Sequence, residues 1–199
     1  MSCSVVTAAS ALNVTLDPAS DTISCATGGR RRRNQEVPMA AVAKSLFHPV
    51  VAVSSMAAAV AFYRDLLGLR VTFDDDHDPV AIEALFGYPD PVVHAVVVGF
   101  PDGSEIELVE FERPRGTPVA RRPGDPGLMA INFIVEGIDE FVDRLTTAGY
   151  PPTSGIVVQT LPDGGQIRVV VCRAPDDVTV ILVELPPGRS SLAAPADRA

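Results

Sequence analysis

Apolar and polar positions along this chain lay out one order of elements twice. Residues 47–53, containing His48-Pro49-Val50-Val51-Ala52-Val53, alternate and are β-rich, so they read as a strand. Ser54 or Ser55 caps the next element, where Met56, Val60, Tyr63 and Leu67 recur three or four apart and make one buried helical stripe. Gly68 stands where a helix C-terminal cap belongs. Residues 69–73 then predict a second strand, 74–78 an acidic loop and 80–86 a short helix. Residues 92–100 and 105–111 predict a hairpin turning at Asp102-Gly103. After an Arg- and Pro-rich linker, 113–127, the order returns. A strand over 128–135 leads to a helix with the stripe Ile138, Phe141, Val142 and Leu145, capped at Gly149. A strand over 155–159 and a hairpin of 166–173 with 178–185 complete the copy. His48 to Gly68 spans 20 positions and Ala130 to Gly149 spans 19, so the two stretches read as copies of one βαβββ unit.

The expected organisation is α+β, with a first module at 39–115 and a second at 116–187. Residues 1–38 are rich in Ser, Thr, Ala and Asn and close on the run Arg30 to Arg33. The charge follows the weakly apolar part, the reverse of a secretory signal, and a disordered extension is expected, with Met39 an alternative start. Residues 188–199 are expected to form a flexible tail.

With 47% apolar residues the chain can bury a sizeable core. Its formal net charge is −9, and residues 39–185 hold 10 Lys/Arg against 21 Asp/Glu. Such a balance argues against nucleic acid and against an anionic membrane surface as partners. Cys3, Cys25 and Cys172 show no metal-binding spacing and no disulfide framework, which suits a reducing cytoplasm. High Ala, Val, Arg and Pro usage is compatible with a GC-rich bacterial source.

Candidate chemistry follows from strand parity. A two-residue turn at Asp102-Gly103 sets Val98 opposite Glu107, Val96 opposite Val109 and His94 opposite Phe111. His94, Val96, Val98, Glu107 and Val109 would then share one face, with Glu110 on the other. Glu107 lies among Ile106, Leu108 and Val109, where a carboxylate needs a partner. His48 is the first candidate and His94 the second. Cys172 reads as a small core residue that also borders the cavity. The run Asp74-Asp75-Asp76-His77-Asp78 reads as a solvated loop, because consecutive residues cannot all converge on one ion. Arg168 and Arg173 are candidates to meet an anionic substrate.

These residues resemble the vicinal oxygen chelate superfamily, which includes glyoxalase I, methylmalonyl-CoA epimerase, extradiol dioxygenases, fosfomycin-resistance enzymes and bleomycin-binding proteins. The resemblance rests on His48-Pro49-Val50-Val51-Ala52-Val53, on Phe62-Tyr63 followed by Leu67-Gly68, on Ile106-Glu107-Leu108-Val109-Glu110, and on the second-module strands around Asn132 and Ile181. It implies two βαβββ modules forming a curved mixed sheet around a cavity. In that family each module supplies two metal ligands, a His or similar from its first strand and a Glu from its last. His48 and Glu107 match those positions; Ala130 and Ile181 occupy the second-module ones and cannot bind metal. Asn132 could lend a weak oxygen. One divalent ion (Zn, Mn, Fe, Co or Ni) on His48 and Glu107 and no metal at all are both compatible with this set. The implied catalytic residues are His48, Glu107 and His94; substrate would touch Asn132, Val98, Cys172, Ala130 and Ile181. Three functions remain open: an isomerase, epimerase or lyase working by acid–base chemistry, a metal-free binding or antibiotic-resistance protein, and an extradiol-type dioxygenase. A small-molecule substrate is the implied partner, and a homodimer is compatible with the family.

Overall fold

The computed structural model describes residues 43–119, 122 and 124–192. The expected extension at 1–38, the alternative start at Met39 and residues 193–199 lie outside them. Two four-stranded mixed sheets carry the fold. The first has the order β1-β4-β3-β2, with β1 Val50–Val53, β2 Arg70–Asp76, β3 Val92–Gly99 and β4 Glu105–Arg113. The second has the order β5-β8-β7-β6, with β5 Ile131–Ile134, β6 Val157–Thr160, β7 Gln166–Arg173 and β8 Thr179–Glu184. In each, the first strand runs parallel to the last and the rest is antiparallel. The α+β class and the doubled βαβββ order are therefore present, as a pair of sheets rather than one continuous sheet.

Helix α1 starts as an α-helix over Met56–Val60, capped by the Ser55 side chain, and continues as a π-helix over Ala61–Leu66. The wider turn is closed by the Leu67 N–H donating to the Phe62 carbonyl at 3.1 Å. An extra residue in the turn lets Phe62 and Tyr63, neighbours in sequence, both point inward, and both are buried. Phe62 meets Tyr150 edge-on at 5.0 Å between ring centroids, and Tyr63 lies 6.4 Å from Phe133. One core thus joins both modules, with Val96, Val98, Ile106 and Leu108 from the first and Phe133, Leu145, Val170, Cys172, Val180 and Leu182 from the second.

The two modules hold their helices by the same device. Glu110, on β4, accepts the Met56 N–H at 2.6 Å at the start of α1. Glu184, on β8, accepts from the Gly137 and Ile138 N–H groups at 2.8 and 3.0 Å at the start of α3, Ile138–Thr147. Exposed backbone donors at a helix N-terminus favour a carboxylate. Glu184 also takes Arg168 at 2.8 Å, and Asp139 takes the same guanidinium at 2.7 Å.

The β3–β4 hairpin departs from the expected register by one residue. Val97, not Val98, lies opposite Glu107, and His94 lies opposite Glu110. The reason is Pro101. A two-residue turn would make Pro101 and Ser104 a hydrogen-bonded pair, but proline has no N–H to give. Phe100 pairs with Ser104 instead, the Gly103 N–H closes the turn on the Phe100 carbonyl, and Gly103 takes φ +87°. This is the three-residue hairpin with a left-handed glycine. A second difference is that Asp74, Asp75 and Asp76 belong to β2 rather than to a loop. An edge strand tolerates charge because its side chains meet solvent.

The Ile138 N–H first, and Arg168 and the Gly137 N–H after it, hold Glu184 below the usual carboxylate range. A group with a depressed folded pKa stabilises the fold above its unfolded value, about 4.3, and that stabilisation is lost as pH falls through the lower folded value. Glu184→Gln is therefore expected to cost about 1 kcal/mol at neutral pH and to flatten the acid limb of the stability–pH curve. Urea unfolding at a series of pH values measures both.

Candidate functional site

The one-residue register change decides which side chains meet. Glu107 shares its sheet face with Val97, Ala95 and Val109, opposite the face that packs into the main core. Val98 is on the core face and fully buried, so it does not border a cavity. His94 also lies off the Glu107 face; its Nε2 pairs with Asp74 Oδ1 at 2.8 Å. Cys172 is fully buried in the core, and burial pushes its thiol up to about 11. His94, Val98 and Cys172 are thus corrections to the expected site, the first two because Pro101 shifts the register and the third because Cys172, with Val170, packs into the shared core.

His48 reaches Glu107, with Nε2 at 3.2 Å from Oε2, and its ring stacks on Phe47 with centroids 4.1 Å apart. The second oxygen has a partner from the acidic run that the sequence predicts as a solvated loop. His77 Nε2 lies 2.9 Å from Glu107 Oε1. One carboxylate is therefore held between two imidazoles. Side-chain exposure is 11% for His48, 13% for Glu107 and 35% for His77, so the carboxylate is nearly sealed and one ring meets solvent. His48 Nδ1 is buried without a hydrogen-bond partner.

Local structure explains why His77 arrives there. The His77 N–H donates to the Val93 carbonyl at 2.9 Å, extending the β2–β3 ladder by one residue. Asp78 then caps helix α2, Pro79–Phe86, accepting from the Val80 N–H, with Pro79 fitting the first turn. Ile82 of α2 packs on Val93 and Val109, the face that carries Glu107. A strand end and a capped helix thus fix His77 from both sides. The signal was present in Asp78-Pro79, but the parity of His77 relative to Glu107 depends on a bulge between Val71 and Phe73 that the alternation does not reveal.

In the second module Asn132 lies opposite Ile181, as Val50 lies opposite Glu107 in the first. Ile181 thus occupies the place that Glu107 holds, and Ala130 that of His48. Asn132 is exposed. Ala130 lines a cleft of about 920 Å³ with Val50, Phe86, Tyr88, Phe111 and Met129. The cleft does not include His48, His77 or Glu107; Val50, which pairs with Glu107 across β1 and β4, lies on its wall. Arg173 also borders it, bonded to Thr179 Oγ1 at 2.6 Å, whereas Arg168 is taken up by Glu184 and Asp139.

These donors do not fit a metal centre of two ligands per module. Two of the four positions carry aliphatic side chains. His48, His77 and Glu107 are the residue types of a two-His, one-carboxylate iron site, but His48 Nδ1 is buried without the partner that a metal-ligating histidine ordinarily has for its other ring nitrogen. Among the described residues no group of three His, Cys, Asp or Glu side chains gathers as a metal site does.

Comparison with known proteins agrees with the architecture. Residues 45–182 match the Glyoxalase/Bleomycin resistance protein/Dioxygenase superfamily. A glyoxalase family protein from Bacillus cereus is similar at 25% identity and a TM-score of 0.63, over 73% of this chain and 99% of that one. A glyoxalase family protein from Enterococcus faecalis has 20% identity and a TM-score of 0.53, over 71% and 98%. The trypanothione-dependent glyoxalase I of Leishmania major has 17% identity and a TM-score of 0.50, over 71% and 87%. These last two share the fold. No curated protein matches the chain.

Burial of Cys172 gives a direct check on the corrected face assignment. Peptide mapping after treatment with a thiol reagent at pH 8 is expected to find Cys172 unmodified in the folded protein and modified once denaturant is added. Labelling of Cys172 in the folded state would put it back at the cavity wall.

Proposed function

This chain belongs to the glyoxalase/bleomycin resistance protein/dioxygenase superfamily, and from that premise we propose a small-molecule enzyme that moves a proton next to a carbonyl, as an isomerase, epimerase or lyase does. One observation carries this reading: Glu107 is nearly sealed from water, lies on the sheet face opposite the main core, and is held by His48 and His77 at 3.2 and 2.9 Å. A carboxylate in a partly desolvated site, oriented by fixed donors, is suited to take a proton from carbon and return it. The two imidazole Nε2 atoms keep its oxygens in place, and the exposed edge of His77 gives the site contact with solvent. Val50, the strand partner of Glu107, stands on the cleft wall, and the aromatic residues Phe86, Tyr88 and Phe111 of that wall suit an apolar portion of the substrate.

A second reading draws on the cleft itself. A cavity of about 920 Å³ with an apolar wall also suits a protein that binds a small molecule, an antibiotic included, without changing it. In that case substitutions at Phe111 and Met129 would weaken binding, and substitutions at His48 and Glu107 would leave it unchanged.

Either reading has a small molecule as partner, and the surplus of carboxylates disfavours nucleic acid or an anionic lipid surface. Among the described residues no helix is long and apolar enough to cross a membrane. A cytoplasmic setting and a homodimer belong to the proposal on the same footing.

The enzyme reading is tested by incubating the protein in D₂O with a panel of α-hydroxy and α-keto acids and thioesters and following loss of the carbon-bound proton by NMR. Exchange is expected for at least one compound, and Glu107→Gln is expected to slow it by at least about 100-fold. Unchanged exchange in the Gln variant would remove Glu107 from the chemistry, and ligand binding without exchange would favour the second reading.

A further inference from the structure

The second-module losses and the arrival of His77 are two sides of one arrangement. An ionised carboxylate only accepts hydrogen bonds, so a ring nitrogen 2.9 or 3.2 Å from its oxygens serves it by presenting N–H. An Nε2 that carries a proton has no lone pair to give to a metal. In His48 the remaining nitrogen, Nδ1, is buried and meets no donor or acceptor. A histidine that ligates a metal through Nε2 ordinarily donates its other ring N–H to a partner, and His48 Nδ1 has none, so the arrangement suits an Nε2–H given to Glu107.

We infer that the pair of Nε2–H groups of His48 and His77 stands where a divalent ion would stand in this fold, orienting Glu107 without a metal. Three independent features support the assignment. Ala130 and Ile181 remove the donors from the other module. His77 comes from outside the repeated strand positions and takes the one carboxylate oxygen that His48 leaves open. The ring is set there by backbone geometry on both sides, through the Val93 carbonyl and the Asp78 cap of α2. His77 is accordingly a positioning residue for Glu107. The inference stands whether or not Glu107 goes on to move a substrate proton.

The test uses the full chain and needs no substrate. Long-range ¹H–¹⁵N correlation spectra at neutral pH are expected to show both rings as Nε2–H tautomers. Glu107→Gln, which keeps the shape and removes the charge, is expected to move the signals of both rings, and His77→Asn to move those of His48. Addition of Mn, Fe(II), Co, Ni or Zn to the wild-type chain, one ion at a time, is expected to leave the ring signals in place, with no stoichiometric metal after desalting. Stoichiometric uptake of any of the five, or an Nδ1–H tautomer with a bare Nε2 on either ring, overturns the inference. Failure of the D₂O exchange assay with these spectra intact would count against the enzyme reading alone.

Discussion

Phe62 and Tyr63 are consecutive, and both are buried because the helix that carries them widens into a π turn. An α-helix sends neighbouring residues about 100° apart, so it would bury one ring and leave the other near its edge. The widened turn, closed by Leu67 on Phe62, puts one ring against Tyr150 and the other toward Phe133. Two sheets that would otherwise each present an apolar face to water share a single core through these rings. Large aromatic side chains supply much of the area such a core needs. The open faces of the sheets, where Glu107 and the cleft lie, keep their positions because the closed faces are locked together.

On that frame the carboxylates divide by parity into two jobs. Glu110 and Glu184 point toward the helices and satisfy backbone donors at the starts of α1 and α3. Glu107, an odd number of residues from Glu110, points the opposite way and takes imidazoles. In the second module Ile181 stands at the corresponding place, so the helix-capping carboxylate is present in both copies and the carboxylate between imidazoles in one. The carboxylate with its imidazoles therefore lies on one module, and the cleft runs along β1, the linker and the start of β5, with Val50 and Ala130 on its wall.

His77 owes its contact with Glu107 to its tertiary neighbours and not to its local sequence. Within an acidic run it looks like part of a solvated surface, and Asp74, Asp75 and Asp76 are indeed exposed. What distinguishes it is its position between the last ladder bond of β2 and the cap of α2. Both constraints act on the backbone, and together they carry an otherwise surface-bound ring to a partly buried carboxylate.

The sequence by itself determined the doubled βαβββ order, a cap at Ser54 or Ser55, the glycines at 68 and 149 that end the helices, and the contrast between His48 with Glu107 and Ala130 with Ile181. These depend on periodicity and residue type, which are local. It also pointed to the His48–Glu107 pair, since a carboxylate among β-branched residues requires a partner. Only the tertiary structure decided the hairpin register, which Pro101 moved by one residue and which took His94 and Val98 off the Glu107 face. Only the structure brought His77 to Glu107, through a bulge that inverts parity without a mark in the alternation. Register and long-range approach are set by hydrogen bonds between strands distant in sequence, and a single missing N–H or one extra residue is enough to reverse which side chains share a face.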